Sequence, residues 1–393
     1  MNISPRKVLF SLQAKCRAFS KKKVAILGSG WGGFRLAQDL DKEKFDVHVI
    51  SPRNHFLFTP LLPSTAVGTL EFRCVQEPVR TIPGVHYVQA HCEEINFTDK
   101  TLTCLEVFKK RRYKEKYDCL VLAVGSETNT FGVPGVYESP NVFFLKQLEH
   151  ARAIRQKLIE CFERASTPDL SESERKRLLT FVVVGGGPTN VEFASELHDF
   201  LNDDVSKWYP DLRHHVRVVM VEASGHILGT FNSALVDYVE KLFHSRNIDV
   251  MTNMTVKEVR GNVAVLGNDM LLPFGVMVWS TGVKQVPLIQ NLSADIAKAR
   301  GGRLMVDSHL RVLRSLPPAE ESPPSGKSTV HGTSAEGGVR SLPTLPVGDG
   351  SVFALGDCAC DSVKPLPPLA QVERHVVCVI VALVSDGGVV DCC

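Results

Sequence analysis

The sequence predicts an α/β protein of two parallel-sheet units, the second inserted in the first. Two observations carry that expectation. An apolar strand runs into a glycine turn and then an amphipathic helix at residues 24–34, and the same pattern returns at residue 181. Each copy is followed later by a second apolar strand that ends in glycine, at Gly125 and at Gly282.

The first copy reads Val24-Ala-Ile-Leu-Gly28-Ser-Gly30-Trp-Gly-Gly33-Phe34. Four apolar residues make a buried strand, and Gly28 permits the tight turn out of it. Gly30 leaves bare backbone against which a pyrophosphate can lie, and Gly33 lets the helix pack close to the strand. The free N–H groups of the helix start then face the phosphates. Phe34, Leu36, Ala37 and Leu40 supply the amphipathic run that this reading requires. The unit is therefore expected to be Rossmann-like and dinucleotide-binding.

The second copy reads Phe181-Val-Val-Val-Gly185-Gly-Gly187-Pro-Thr-Asn190-Val-Glu192. Asn190 stands where a third glycine is expected, and should crowd the helix–strand contact. The next strand, 217–221, ends in Glu222. A carboxylate there accepts hydrogen bonds from both ribose hydroxyls and repels a 2′-phosphate, which favours NAD(H) over NADP(H). In the first unit the strand 45–50 ends in Ser51 instead, whose hydroxyl can still bond a ribose.

With 393 residues, 44% hydrophobic and 22% charged, the chain can bury two cores. A net charge of +2, with no long basic stripe after residue 23, argues against a nucleic-acid binder. The eleven cysteines form no C-x-x-C pair and no zinc spacing, so reduced intracellular thiols and no metal are expected. Arg6, Lys7, Lys15, Arg17 and Lys21 to Lys23, without any acid, make up a mitochondrial targeting segment, a disordered basic tail being the alternative. No apolar run is long enough to span a bilayer.

Between the motifs, residues 58–68 hold two prolines in a mostly uncharged loop, suited to wall off a flat apolar ring. Residues 85–88, 92–97 and 101–105 read as short strands, with a charged hairpin tip at 108–117. A buried strand follows within 117–126, then an amphipathic helix over 146–165. A helix at 234–243 precedes strands near 248–251, 255–259 and 263–266. Residues 315–348 hold too little apolar content to pack and read as a disordered insertion. A final strand enters Gly356-Asp357, where the carboxylate can meet a flavin's ribityl hydroxyls.

In this order the pieces resemble the type II (alternative) NADH:quinone oxidoreductases, flavoproteins with two dinucleotide-binding domains. The specific stretches are Gly28-Ser-Gly30-Trp-Gly-Gly33, the run from Ser51-Pro-Arg-Asn to Pro-Leu-Leu-Pro-Ser64, and Gly185-Gly-Gly187-Pro-Thr-Asn-Val-Glu192. Trp279-Ser-Thr-Gly282, Ala354-Leu-Gly-Asp357-Cys-Ala and Leu366-Pro-Pro-Leu-Ala370-Gln371-Val372 complete them. The resemblance implies FAD on Gly28, Gly30, Gly33, Ser51, Arg53, Gly125, Gly356 and Asp357. It implies NADH on Gly185, Gly187, Glu222 and Gly282, with Glu192 handling charge or protons where nicotinamide meets flavin. Ala370 and Gln371 fall on the quinone side.

The implied layout is a targeting or disordered segment at 1–21, an FAD-binding domain at 22–140 and 301–372 with an insertion at 315–348, and an NADH-binding domain at 141–300. The atypical tail, 373–393, departs from the family's text after Val372. The family's C-terminal membrane-docking region is thus expected to be missing or altered, with weakened attachment to the membrane surface. The implied activity is hydride transfer from NADH to FAD and electron transfer to a membrane quinone without proton pumping. It is placed peripherally on the mitochondrial inner membrane and leaves room for a homodimer. Two rivals stay open. A sulfide:quinone oxidoreductase would bring Cys119, Cys161 and Cys358 together near the flavin. A truncated FAD- and NADH-binding protein would lack quinone activity.

Overall fold

Val24, Ala25, Ile26 and Leu27 are each no more than 1% exposed, as a central strand must be when both faces of its sheet are covered. Their strand, Lys22–Leu27, sits inside a seven-stranded sheet. Phe45–Ser51 and Cys119–Leu122 flank it in parallel, and Val85–Asn96 pairs with Phe45–Ser51. Val352–Ala354 joins the far side of Cys119–Leu122. That pairing returns the chain to the first sheet after the whole second unit has been built, so the second unit is inserted in the first. The computed structural model describes residues 21–315 and 344–361.

The second sheet has five parallel strands, in the order Val142–Phe144, Val276–Trp279, Thr180–Val184, Arg217–Val221 and Ile248–Met251. Side chains alternate between its two faces. Phe181, Val183, Met220, Val276 and Val278 enter one core, and Val182, Val184, Val219, Val221, Met277 and Trp279 enter the other. The helix Leu148–Ala165 lays Leu148, Ala151, Ile154, Leu158 and Phe162 on the first of these.

Four expectations are corrected. Residues 58–68 are not a loop but a 3-10 turn, Thr59–Leu61, and a helix, Leu62–Val67. Pro63 falls in the first helical turn, where its missing N–H costs nothing, and Gly68 ends the helix with φ of 86°. Leu62, Ala66 and Val67 are buried in the core of the second unit, so this segment bonds the two units rather than only lining a site. The expected hairpin tip contains a strand, Arg112–Lys116, paired with Thr101–Glu106. Only Tyr113 and Glu115 turn partly inward on it, which hides it from an apolar-pattern search.

The strands expected at 85–88 and 92–97 are one, Val85–Asn96, with a register shift between Cys92 and Glu94. The insertion expected at 315–348 is ordered at both flanks, where Leu313–Ser315 pairs with Thr344–Pro346. A backbone ladder there supplies what apolar side chains do not. Residues 316–343, the targeting segment up to residue 20, Ala370, Gln371 and the tail lie outside the described residues.

Candidate active site

Both glycine loops are built the same way. Gly28 N donates to Ile50 O at 2.9 Å, and Gly185 N donates to Val221 O at 2.8 Å. Each loop is thus tied to the end of its neighbouring strand. In the first loop Gly28 has φ of 108°, and a Cβ on it would overlap the Ala123 carbonyl. A Cβ on Gly33 would overlap the Gly28 carbonyl, so the helix Trp31–Asp39 can approach the strand only with glycine there. Gly30 caps that helix and lies beside the Arg53 guanidinium.

Ser51 is 3% exposed, and its hydroxyl is turned into the loop. It lies 3.0 Å from Ser29 Oγ and accepts the Arg53 N–H at 3.3 Å. Ser51 therefore shapes the loop that carries Arg53. Arg53 Nε donates to His55 O at 3.0 Å and Nη1 to Gln147 Oε1 at 2.8 Å. Burial pushes the Arg53 pKa down, opposed by the more distant Glu149. No carboxylate among the described residues pairs with it directly, so the site holds an enclosed cation beside a glycine loop. A pyrophosphate fits that arrangement.

At the other end of the first unit, Asp357 Oδ2 accepts the Ser126 hydroxyl at 2.7 Å, and Lys146 Nζ donates to Ser126 Oγ at 2.8 Å. Burial pushes the Lys146 pKa down while Asp357 and Glu127 oppose the shift. Gln285 Nε2 donates to the Asp357 carbonyl at 3.2 Å, and its Oε1 is buried without a hydrogen-bond partner among the described residues. Ser126, Lys146 and Gln285 are not among the site residues expected from the sequence. Lys146 and Gln285 carry no local signal, and Ser126 is marked only by the preceding Gly125.

The strands Ser126–Thr128 and Val283–Gln285 pair antiparallel, with Ser126 opposite Gln285 and Thr128 opposite Val283, so Gly125 and Gly282 stand at opposite ends of a short ladder that joins the two units. Gly125, Gly282 and Gly356 all turn the chain with φ near 70°, at 68°, 68° and 72°. Trp279 Nε1 donates across the seam to Asn129 O at 3.1 Å.

In the second loop Gly187 caps the helix Pro188–Phe200, with open space where a Cβ would stand. Asn190 does not crowd the contact as expected. It is fully buried, and its Nδ2 donates to Val184 O at 2.7 Å and Gly185 O at 2.9 Å, stitching helix to strand. Glu222 Oε1 accepts the Ser224 N–H and hydroxyl, both at 2.6 Å, while Oε2 accepts the Gly186 N–H. The carboxylate is thus held at the strand end beside the loop. Glu192 is exposed on the helix, and desolvation followed by the Glu196 charge pushes its pKa up. Glu196 accepts from Ser64 Oγ at 2.8 Å and Thr69 Oγ1 at 2.9 Å.

The thiols expected by the sulfide rival do not meet. Cys119 and Cys358 lie in the first core and Cys161 in the second. All three are free, and burial pushes each pKa up to about 11, which keeps them protonated and unreactive.

Two strand–glycine–helix loops facing a common seam, one with an enclosed arginine and one with a strand-end carboxylate, define an oxidoreductase that uses two dinucleotides. The chain belongs to the pyridine nucleotide-disulphide oxidoreductase family, whose sequence profile matches residues 22–315. It is 43% identical over 377 residues to a probable NADH dehydrogenase of Dictyostelium discoideum, covering 95% of this chain and 75% of that one. It is 42% identical over 305 residues to the mitochondrial external alternative NAD(P)H-ubiquinone oxidoreductase B4 of Arabidopsis thaliana, covering 74% of this chain and 52% of that one. NDH2 of Plasmodium falciparum, solved in complex with NADH, superposes with a TM-score of 0.76 at 32% identity, covering 87% of this chain and 65% of that one. The chain spans half to three quarters of the length of these relatives.

Proposed function

We propose that the chain is a type II NADH:quinone oxidoreductase, passing a hydride from NADH to FAD and electrons onward to a membrane quinone without pumping protons. The observation that carries this reading is the seam where the ladder of Ser126–Thr128 and Val283–Gln285 joins the two units, with Arg53 on one side and Asp357 bonded to Ser126. FAD suits the first loop: Gly28 and Gly33 leave no room for side chains, and the enclosed Arg53 guanidinium has no acid paired to it among the described residues. When bound, the flavin supplies the hydride acceptor and the carrier of electrons to quinone.

The chain's own residues bind and orient. Gly30 and Arg53 hold the pyrophosphate, Ser51 and Ser29 fix the loop that presents Arg53, and Asp357 meets the ribityl hydroxyls. Gly185 and Gly187 receive the NADH pyrophosphate, Glu222 its ribose hydroxyls, and Gly282 opens the way to the flavin. Glu192 carries charge near the nicotinamide. Ala370 and Gln371 belong to the quinone side. The mitochondrial names of the relatives support a place on the inner membrane. Among the described residues no helix is long and apolar enough to cross a membrane, which is compatible with surface attachment.

The test is turnover of purified protein with NADH and a short-tailed ubiquinone, beside sulfide as alternative donor. Quinone reduction that depends on NADH supports the reading. Sulfide-dependent reduction, or NADH binding without turnover, overturns it.

A further inference from the structure

The face of the first sheet near the starts of two interior strands, away from the glycine loop, carries a cluster that dinucleotide chemistry does not use. Asp46 and His48 are two residues apart on Phe45–Ser51, so both leave the same face. His86 is the register partner of His48 on Val85–Asn96. His48 Nε2 lies 3.0 Å from Asp46 Oδ2, and His86 Nε2 lies 3.5 Å from Asp46 Oδ1. The second nitrogen of His48, Nδ1, lies 3.1 Å from Glu115 Oε1, an oxygen that Lys23 Nζ holds at 2.6 Å.

We propose that Asp46, His48 and His86 bind a zinc-class divalent cation. Two imidazoles and one carboxylate are the donor set such ions take, whereas calcium and magnesium favour oxygen alone. The three ligand atoms lie within 4.8 Å of one another. Small side-chain adjustments bring them to the metal–ligand distances of about 2.0–2.2 Å that zinc needs. Glu115 is the independent observation. A metal-bound imidazole typically donates its other N–H to a carboxylate, which fixes its tautomer and orientation, and Glu115, itself anchored by Lys23, stands at that nitrogen. The His86 side chain is 68% exposed and that of His48 18%, so the ion enters from the His86 side and keeps water in the remaining position.

No sequence spacing marks these ligands, because two of them are brought together by strand register. The ion would clamp Phe45–Ser51 to Val85–Asn96 where those strands begin, far along the sheet from the loops. Its effect is therefore on stability, growing with ion concentration.

The experiment uses the full-length, flavin-loaded chain, stripped with chelator and titrated with zinc chloride by calorimetry, beside His86→Gln and Asp46→Asn. A cobalt titration read by absorption runs in parallel. The expected result is a zinc site in the unaltered chain that either substitution weakens at least tenfold. Its cobalt spectrum should be that of nitrogen and oxygen ligands, without thiolate charge transfer. Zinc should raise the melting temperature of the unaltered chain but not of His86→Gln, while the two melt alike in chelator. NADH oxidation should be unchanged in His86→Gln. Zinc binding that is absent from the unaltered chain, or that survives both substitutions undiminished, overturns the proposal. Thiolate charge transfer that persists in His86→Gln as the main cobalt signal does so as well.

Discussion

Gly33 shows how one residue decides whether a dinucleotide loop can exist. Its missing side chain lets the helix Trp31–Asp39 meet the Gly28 carbonyl, so Gly33→Val should cost roughly 1–3 kcal/mol by overpacking and release the flavin. Urea denaturation and the flavin-to-protein absorbance ratio measure both effects. Glu222 sits at the strand end as its position predicts, and its bonds to Gly186 and Ser224 keep the carboxylate there. Glu222→Gln should narrow the preference for NADH over NADPH by roughly ten- to a hundredfold, the scale of a charged hydrogen bond, read from the two kcat/KM values.

Glu192 has its pKa raised, first by desolvation and then by the Glu196 charge. Its charge therefore forms at higher pH than an ordinary carboxylate's, and the acidic limb of kcat/KM for NADH should lie above the usual carboxylate range. Glu192→Gln should remove that limb, as a pH profile would show. The fingerprint glycines, Glu222 and Asp357 are legible because strand, turn and helix are local patterns. Lys146 and Gln285 are not, since only the tertiary fold brings them to Asp357.

Among the elements, Leu62–Val67 departs most from its sequence reading. Two prolines suggested a loop, yet Pro63 sits at the one place in a helix where proline fits, and the neighbouring unit supplies the core that buries Leu62, Ala66 and Val67. Glu196 fastens the segment through Ser64 and Thr69. Glu196→Ala should therefore destabilise the protein by roughly 1–3 kcal/mol, since it strips two hydroxyls of a charged acceptor, and Glu196→Gln should recover part of that in the same urea titration. Strands buried on both faces, such as Thr180–Val184, are readable as continuous apolar runs. Arg112–Lys116, charged and at a sheet edge, is invisible to that search and takes its order from pairing.

At the scale of the whole molecule, the two units repeat one plan, and the repeat is what makes the topology readable from sequence. In each, the fingerprint strand lies between the strand that follows its helix and a later strand ending in glycine. Beyond the two glycine ends the chain forms a two-stranded ladder from Ser126–Thr128 and Val283–Gln285, which joins the units with Gly125 and Gly282 at its opposite ends. In the proposed function this seam joins a flavin to a nicotinamide, and the electrons leave to a quinone. An anaerobic titration of the purified, yellow protein follows both transfers. Added NADH should bleach the flavin absorbance in proportion, and a short-tailed ubiquinone should restore it, whereas sulfide should leave it unchanged. A flavin that NADH does not bleach, or a reduced flavin that ubiquinone does not reoxidise, would rule out this electron path.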